Sequence, residues 1–214
     1  MEANKISLKT FSASLVSVLL IEILFRQIPA GGFLTTLTTL GLVRCLESVV
    51  LVSITFLLEK DPGAIGLLPS RMPAGFRKGL IWSAGFGIFV GTVYLVLLAA
   101  GINALNLLGR PPQSFRQQLY TFFLVGGLIG PVAEEIFFRG IIYGFFRKWG
   151  ISAGVVTSTL IFVFFHSTGP YLPVTQMVGG ILFAVAYEKE QNLVVPITIH
   201  CLGNLAIFSL MMLK

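Results

Sequence analysis

The chain has 214 residues, of which 55% are hydrophobic and only 11% are charged. An ordinary soluble domain carries about 25% charged residues, and here the mean hydropathy is +0.89. These values exclude a soluble globular enzyme, and the wealth of apolar residues excludes a disordered protein. Because one crossing helix uses about 20 residues, we expect an all-α, polytopic transmembrane helical bundle of about seven spans, within a range of six to eight.

The net charge of +6 comes from basic residues that are scattered between apolar runs. Nucleic-acid sites need a basic cluster or interleaved aromatic residues, so we expect the lipid bilayer and no nucleic acid as a partner. With the loops assigned alternately to two sides, nine Lys and Arg residues fall on the side of the N-terminus and four on the other. The positive-inside rule then places the N-terminus in the cytoplasm.

Seven apolar runs follow one another, and no stretch between them is long and polar enough for a second domain. We therefore predict a single integral membrane domain over residues 1–214. The fourth run contains Pro131, which predicts a kink or a break there. In chain order, the predicted spans are Thr10–Phe25, Leu34–Leu58, Gly79–Ala100, Leu119–Phe146, Ser152–His166, Val174–Tyr187 and Leu193–Met212.

Charged residues inside spans are costly and need a reason. Arg44 and Glu47 are three residues apart, so they share a helix face and can neutralise each other. Contact with a substrate is the alternative role for this pair.

Three charges fall within six residues of the fourth span. Glu135 and Arg139 are four apart and lie on one helix face, whereas Glu134 is turned about 100° away from Glu135. We expect Glu135 to pair with Arg139 and Glu134 to remain free for chemistry. A carboxylate in this setting suits the role of a general base.

Both histidines of the chain, His166 and His200, lie near predicted span ends. His200 and Asn204 are four apart and share a helix face. A structural role is the usual explanation for one such residue. It explains much less well two histidines, a buried glutamate pair and a buried asparagine together.

The motifs Glu134-Glu135-xxx-Arg139, Phe162-xxx-His166 and His200-xxx-Asn204, in this order, resemble those of the CAAX protease and bacteriocin-processing (CPBP, or Abi) family of intramembrane endopeptidases. Its best-known members trim prenylated CAAX proteins. The resembling, catalytic part covers about residues 118–212. It implies a helical bundle with a water-filled catalytic cavity.

The resemblance also implies roles for the motif residues. Glu134 and His166 would activate a water molecule, while Glu135 and Arg139 would hold the helix geometry. His200 and Asn204 would stabilise the oxyanion. Phe162 would line the cavity wall, in a catalytic set that otherwise consists of Glu134, Glu135, Arg139, His166, His200 and Asn204.

A zinc peptidase is the alternative mechanism, since Glu134, His166 and His200 could supply three ligands and leave a fourth position for water. The chain lacks HExxH, which presets two ligands and a base on one helix. We therefore favour a metal-independent glutamate mechanism that requires no cofactor.

The expected substrate is a membrane-embedded or lipid-anchored protein, and the expected location is the plasma membrane of a bacterium or archaeon. A non-proteolytic membrane binding partner or bacteriocin self-immunity protein is the alternative function. A proton relay in a transporter would use similar residues, but we find no repeat of the kind that transporters normally show.

Overall fold

The computed structural model describes residues 6–27, 36–61, 63–107, 118–167 and 173–213. Within these ranges the long elements are seven helices, accompanied by short 3-10 turns at Pro69–Arg71 and Ala104–Leu107. The helices are α1 (Leu8–Arg26), α2 (Thr36–Glu59), α3 (Met72–Ala99), α4 (Leu119–Trp149), α5 (Ile151–His166), α6 (Val174–Glu190) and α7 (Val194–Met212).

The all-α membrane architecture is confirmed. Among the described residues, α1, α2, α3 with its preceding turn, α4 and α7 are five helices long and apolar enough to cross a bilayer. Helix α5 is apolar but shorter. Seven helices thus occupy the seven predicted positions, with ends that differ by a few residues. The predicted start of the second span, Leu34, lies outside the described residues.

Helix α3 begins seven residues earlier than predicted, because the polar segment before Gly79 is itself helical. Pro73 lies in the first turn, where the N–H that proline lacks would have no partner in the helix. Gly75 and Gly79 allow α3 to approach its neighbours closely. A Cβ atom at Gly79 would lie 2.5 Å from Cβ of Thr198 on α7.

Helix α4 continues through Pro131 without a break, and a kink at this residue stays a prediction. Its 31 residues are helical throughout, but Val125–Ile129 and Ile136–Tyr143 are π-helical. In the first of these segments the N–H of Gly130 donates to the carbonyl of Val125, five residues back. The wider π turn accommodates the proline ring, which would clash with a carbonyl of a regular α-helix.

The second π segment of α4 forms the centre of the bundle, and all eight of its side chains or glycine positions are buried. Helices α1, α2, α5 and α6 pack around it. Helix α3 packs mainly on α7, and its outer face is apolar and exposed. Glu135 and Arg139 of α4 are consequently enclosed by protein rather than by lipid.

Candidate active site

The two adjacent glutamates of α4 lie in different environments. Glu135 is fully buried, whereas 23% of the Glu134 side chain is exposed. They stand at the junction between the α-helical segment Gly130–Glu135 and the second π segment. Glu135 is thus enclosed by protein, as expected for the partner of Arg139, whereas Glu134 is partly accessible.

Arg139 anchors the sealed carboxylate. Its Nη1 donates to Oε1 of Glu135 at 2.9 Å, and its Nη2 donates to the carbonyl of Gly180 on α6 at 3.1 Å. The four-residue spacing predicted the first bond, and the structure adds the second. Both side chains of the ion pair are 0% exposed, so the pair fixes α4 against α6 without reaching solvent.

His200 of α7 also bonds to the sealed carboxylate. Its Nδ1 lies 2.7 Å from Oε1 of Glu135. A carboxylate paired with arginine accepts hydrogen bonds only, so Nδ1 is the protonated nitrogen. In the neutral ring, Nε2 of His200 is therefore an acceptor.

His166, the last residue of α5, is oriented in the same manner. Its Nδ1 lies 2.8 Å from the carbonyl oxygen of Phe162, one turn earlier. A carbonyl oxygen cannot donate, so Nδ1 carries the hydrogen and Nε2 of the neutral ring is again an acceptor. The side chain is 29% exposed, which leaves Nε2 accessible to a small molecule.

The two histidines converge on Glu134. Each Nε2 lies 3.7 Å from the same oxygen, Oε2 of Glu134. Both distances are longer than a direct hydrogen bond. When the rings are neutral, the two Nε2 atoms and Oε2 of Glu134 are all acceptors. A group that donates to them, such as water, satisfies this arrangement.

Aromatic rings surround the buried ion pair and the histidines. The Phe162 ring centroid lies 4.3 Å from that of His166 and 4.7 Å from Cζ of Arg139. Phe183 of α6 stacks on His200 with a centroid distance of 4.6 Å and an interplanar angle of 22°. Phe162 was expected in the cavity wall, but nothing in the sequence pattern singled out Phe183.

Asn204 is placed differently from the other predicted site residues. Its Nδ2 donates to the carbonyl of Gly126 at 2.9 Å. In the π pattern this carbonyl would be paired with the N–H of residue 131, which is a proline and has none. Asn204 therefore completes the hydrogen bonding of α4, and a role at an oxyanion stays a prediction.

The predicted pair of Arg44 and Glu47 is present on α2, and Nη1 of Arg44 also lies 2.9 Å from Oε1 of Glu22 on α1. Helix α2 packs against the α4 segment that carries Glu134, and the charges of Arg44 and Glu47 interact with that of Glu134. The structure thus brings this ion cluster near the site, which the sequence did not indicate.

The donor types around Glu134 suit zinc, because two imidazole nitrogens and a carboxylate oxygen are common zinc ligands. The Phe162 carbonyl and the Glu135 carboxylate orient the rings as partners of metal-bound histidines do. Nevertheless, the described part of the chain contains no cluster of three His, Cys, Asp or Glu side chains arranged to hold an ion.

Comparison with known proteins bears on this site. Residues 116–206 match the sequence model of the Rce1-like type II CAAX prenyl endopeptidases. The match covers less than half of the chain. All six predicted site residues fall inside it, and the chain is that of an integral membrane protein with the predicted family resemblance.

Two bacterial proteins are similar to this chain. The membrane-embedded CAAX protease MroQ of Staphylococcus aureus is 33% identical over 93 residues, which are 40% of this chain and 36% of MroQ. The putative membrane peptidase YdiL of Bacillus subtilis is 28% identical over 172 residues, which are 78% of this chain and 68% of YdiL. No solved structure matches the chain.

Proposed function

We propose that this protein is an intramembrane endopeptidase that uses Glu134 and His166 to activate a water molecule. The observation that carries the proposal is the convergence of Nε2 of His166 and Nε2 of His200 on Oε2 of Glu134, each at 3.7 Å. A water molecule between these acceptors donates one hydrogen to Glu134 and one to His166. Its lone pair then faces the carbonyl carbon of a substrate peptide.

In the proposed reaction, the water oxygen bonds to the carbonyl carbon as Glu134 takes one of its protons. The tetrahedral intermediate then collapses, the carbon–nitrogen bond breaks, and Glu134 returns that proton to the leaving amine. The products are a carboxylic acid and an amine, so water is the only co-reactant. The partial exposure of Glu134 permits this proton to arrive and leave within the site.

In this proposal His200 can stabilise the oxyanion only when its ring is protonated. Its Nδ1 is bonded to Glu135, so Nε2 carries a hydrogen only when the ring is an imidazolium. In that charged form Nε2 can donate to the oxyanion. Asn204 uses one N–H on Gly126, and we assign its second N–H to the same oxyanion.

On this proposal no cofactor is required. If zinc is bound instead, Glu134, His166 and His200 would hold it, and it would supply Lewis-acid activation of water. The glutamate mechanism is favoured because the chain lacks HExxH, which presets two ligands and a base on one helix.

We propose a membrane-embedded or lipid-anchored protein as substrate. Phe164 and Phe165, which precede His166 on α5, are both strongly exposed and apolar. They would lie in lipid beside the accessible histidine, so a substrate that reaches the site laterally from the bilayer fits this surface. We place the protein in the bacterial plasma membrane with its N-terminus in the cytoplasm, on the distribution of Lys and Arg.

The decisive experiment compares cells that produce wild type, Glu134→Gln or Glu190→Gln as their sole copy. Mass spectrometry of protein termini in the membrane fraction identifies cleavage products. We expect a set of new termini that is absent with Glu134→Gln and retained with Glu190→Gln, the matched control on α6. Identical termini with wild type and Glu134→Gln would overturn the proposal and favour a non-proteolytic binding or immunity role.

A further inference from the structure

Phe183 lies at the meeting point of two groups of the candidate site. Its ring is stacked on the His200 imidazole at 4.6 Å and 22°, and its centroid lies 5.1 Å from Cζ of Arg139. The side chain comes from α6, whereas His200 is on α7 and Arg139 on α4. It is buried, so the contact is shielded from solvent and lipid.

The stacked ring supplies a constraint that the hydrogen bond of His200 does not. The bond from Nδ1 to Glu135 fixes one atom of the imidazole, but it still permits the ring to rock about that contact. A parallel aromatic face restricts the ring plane. With both constraints, the second nitrogen, Nε2, is held toward Glu134.

We infer that Phe183 is a positioning residue, which holds the His200 ring plane so that Nε2 faces the water-activating Glu134. This inference rests on the proposed function for its effect on catalysis, but the stacking itself is independent of any activity. Loss of the stacked face should reduce kcat by about three- to tenfold. Because Phe183 is buried, we expect no contact with the substrate and an unchanged KM.

The stacking is tested first in wild-type protein in lipid nanodiscs by NMR of the histidine rings. Only two histidines occur in the chain, and a His166→Gln variant assigns them. We expect the His200 ring protons to be shifted upfield by the Phe183 ring current. Absence of that shift in wild type would overturn the inference, whether or not the protein is a protease.

The effect on catalysis is tested with a lipidated fluorogenic peptide that carries a cleavage site found by the terminal-peptide experiment. Phe183→Leu should lower kcat at unchanged KM and abolish the upfield shift, while Phe183→Tyr, which keeps the ring, should stay within about twofold of wild type in kcat. Equal kcat for Phe183→Leu and wild type, or equal losses for the Leu and Tyr variants, would contradict the inference. If Phe183→Leu does not fold, the kcat of Phe183→Tyr and the wild-type NMR spectrum still test the inference.

Phe145→Leu is the matched control. Phe145 is also buried and stacks on another ring, Phe11, at 4.1 Å and 13°. Its other aromatic and cation–π contacts among the described residues are with Phe146, Trp149 and Lys148, which are not site residues. Its substitution should lower stability without lowering kcat. A loss of kcat as large as that of Phe183→Leu would assign the effect to general packing and overturn the positioning role.

Discussion

Nδ1 of His200 lies 2.7 Å from Oε1 of Glu135, although the two residues are 65 positions apart. The same carboxylate oxygen accepts a hydrogen bond from Arg139. Glu135 therefore links helix α7 to a buried ion pair of α4, and it orients a histidine that faces the neighbouring Glu134. Glu135 thus determines the orientation of a histidine that the proposed mechanism uses.

Replacement of Glu135 by Gln should strongly destabilise the protein. Arg139 would remain fully buried without its countercharge, and breaking a buried pair in this way costs about 3–5 kcal/mol. Thermal unfolding in detergent measures the change. Glu190→Gln, which breaks the partly exposed pair with Lys78, should cost about 1 kcal/mol or less. Similar stability of both variants would contradict the anchoring role of Glu135.

Asn204→Asp and Asn204→Leu should both lower stability, by about 1–3 kcal/mol. Neither side chain can donate to the carbonyl of Gly126, which loses its partner opposite Pro131. Chemical unfolding of the purified variants tests this expectation. Wild-type stability of Asn204→Asp would show that the bond to Gly126 is unimportant and would leave oxyanion binding as the function of the amide.

Stability should depend on pH through Glu190, which lies beyond the predicted end of the sixth span. A hydrogen bond from Lys78 lowers the pKa of Glu190 below its usual value of 4.5, with further support from Trp82. A depressed folded-state pKa means that the stabilisation is complete above the unfolded pKa and is lost as pH falls through the folded one. The stability difference between wild type and Glu190→Gln should therefore shrink as the pH falls below about 4.5.

A constant difference between those two proteins from neutral to acidic pH would contradict the assignment. Because the Lys78 side chain is about half exposed, high salt should also reduce the difference at neutral pH. Both measurements use thermal unfolding and need no substrate.

Metal removal should not abolish proteolysis if the glutamate mechanism holds. The purified protein, incubated with a chelator and then freed of it, is expected to cleave at the rate of the untreated sample. Lasting inactivation by chelator that added zinc reverses would overturn the metal-independent mechanism. In that case zinc would be assigned to Glu134, His166 and His200.

Contacts within one helix were predictable from spacing alone. The pairs Glu135–Arg139 and Arg44–Glu47 follow from residues four and three apart, because helix geometry brings such side chains together. The number of helices and their positions followed from apolar runs of the length needed to cross a bilayer. The earlier start of α3 was missed because its polar, proline-containing first residues resemble a loop. Proline is nevertheless compatible with the first turn of a helix.

Contacts between helices were not predictable in this manner. Stacking of Phe183 on His200 and bonding of Asn204 to Gly126 depend on how α6, α7 and α4 are rotated and packed. In a membrane, packing of this kind rests on van der Waals contacts and interhelical hydrogen bonds rather than on a hydrophobic pattern. The apolar face of a helix therefore does not predict which of its residues will contact a neighbouring helix.

By itself, the sequence determined a helical membrane protein, its family resemblance and the set of candidate catalytic side chains. Only the tertiary structure decided that both histidines turn Nε2 toward one oxygen of Glu134, while Glu135 is sealed with Arg139. The physical reason is that spacing fixes which side chains share a helix face. Which atoms converge is fixed by the packing of separate helices and by the hydrogen bonds that orient each ring.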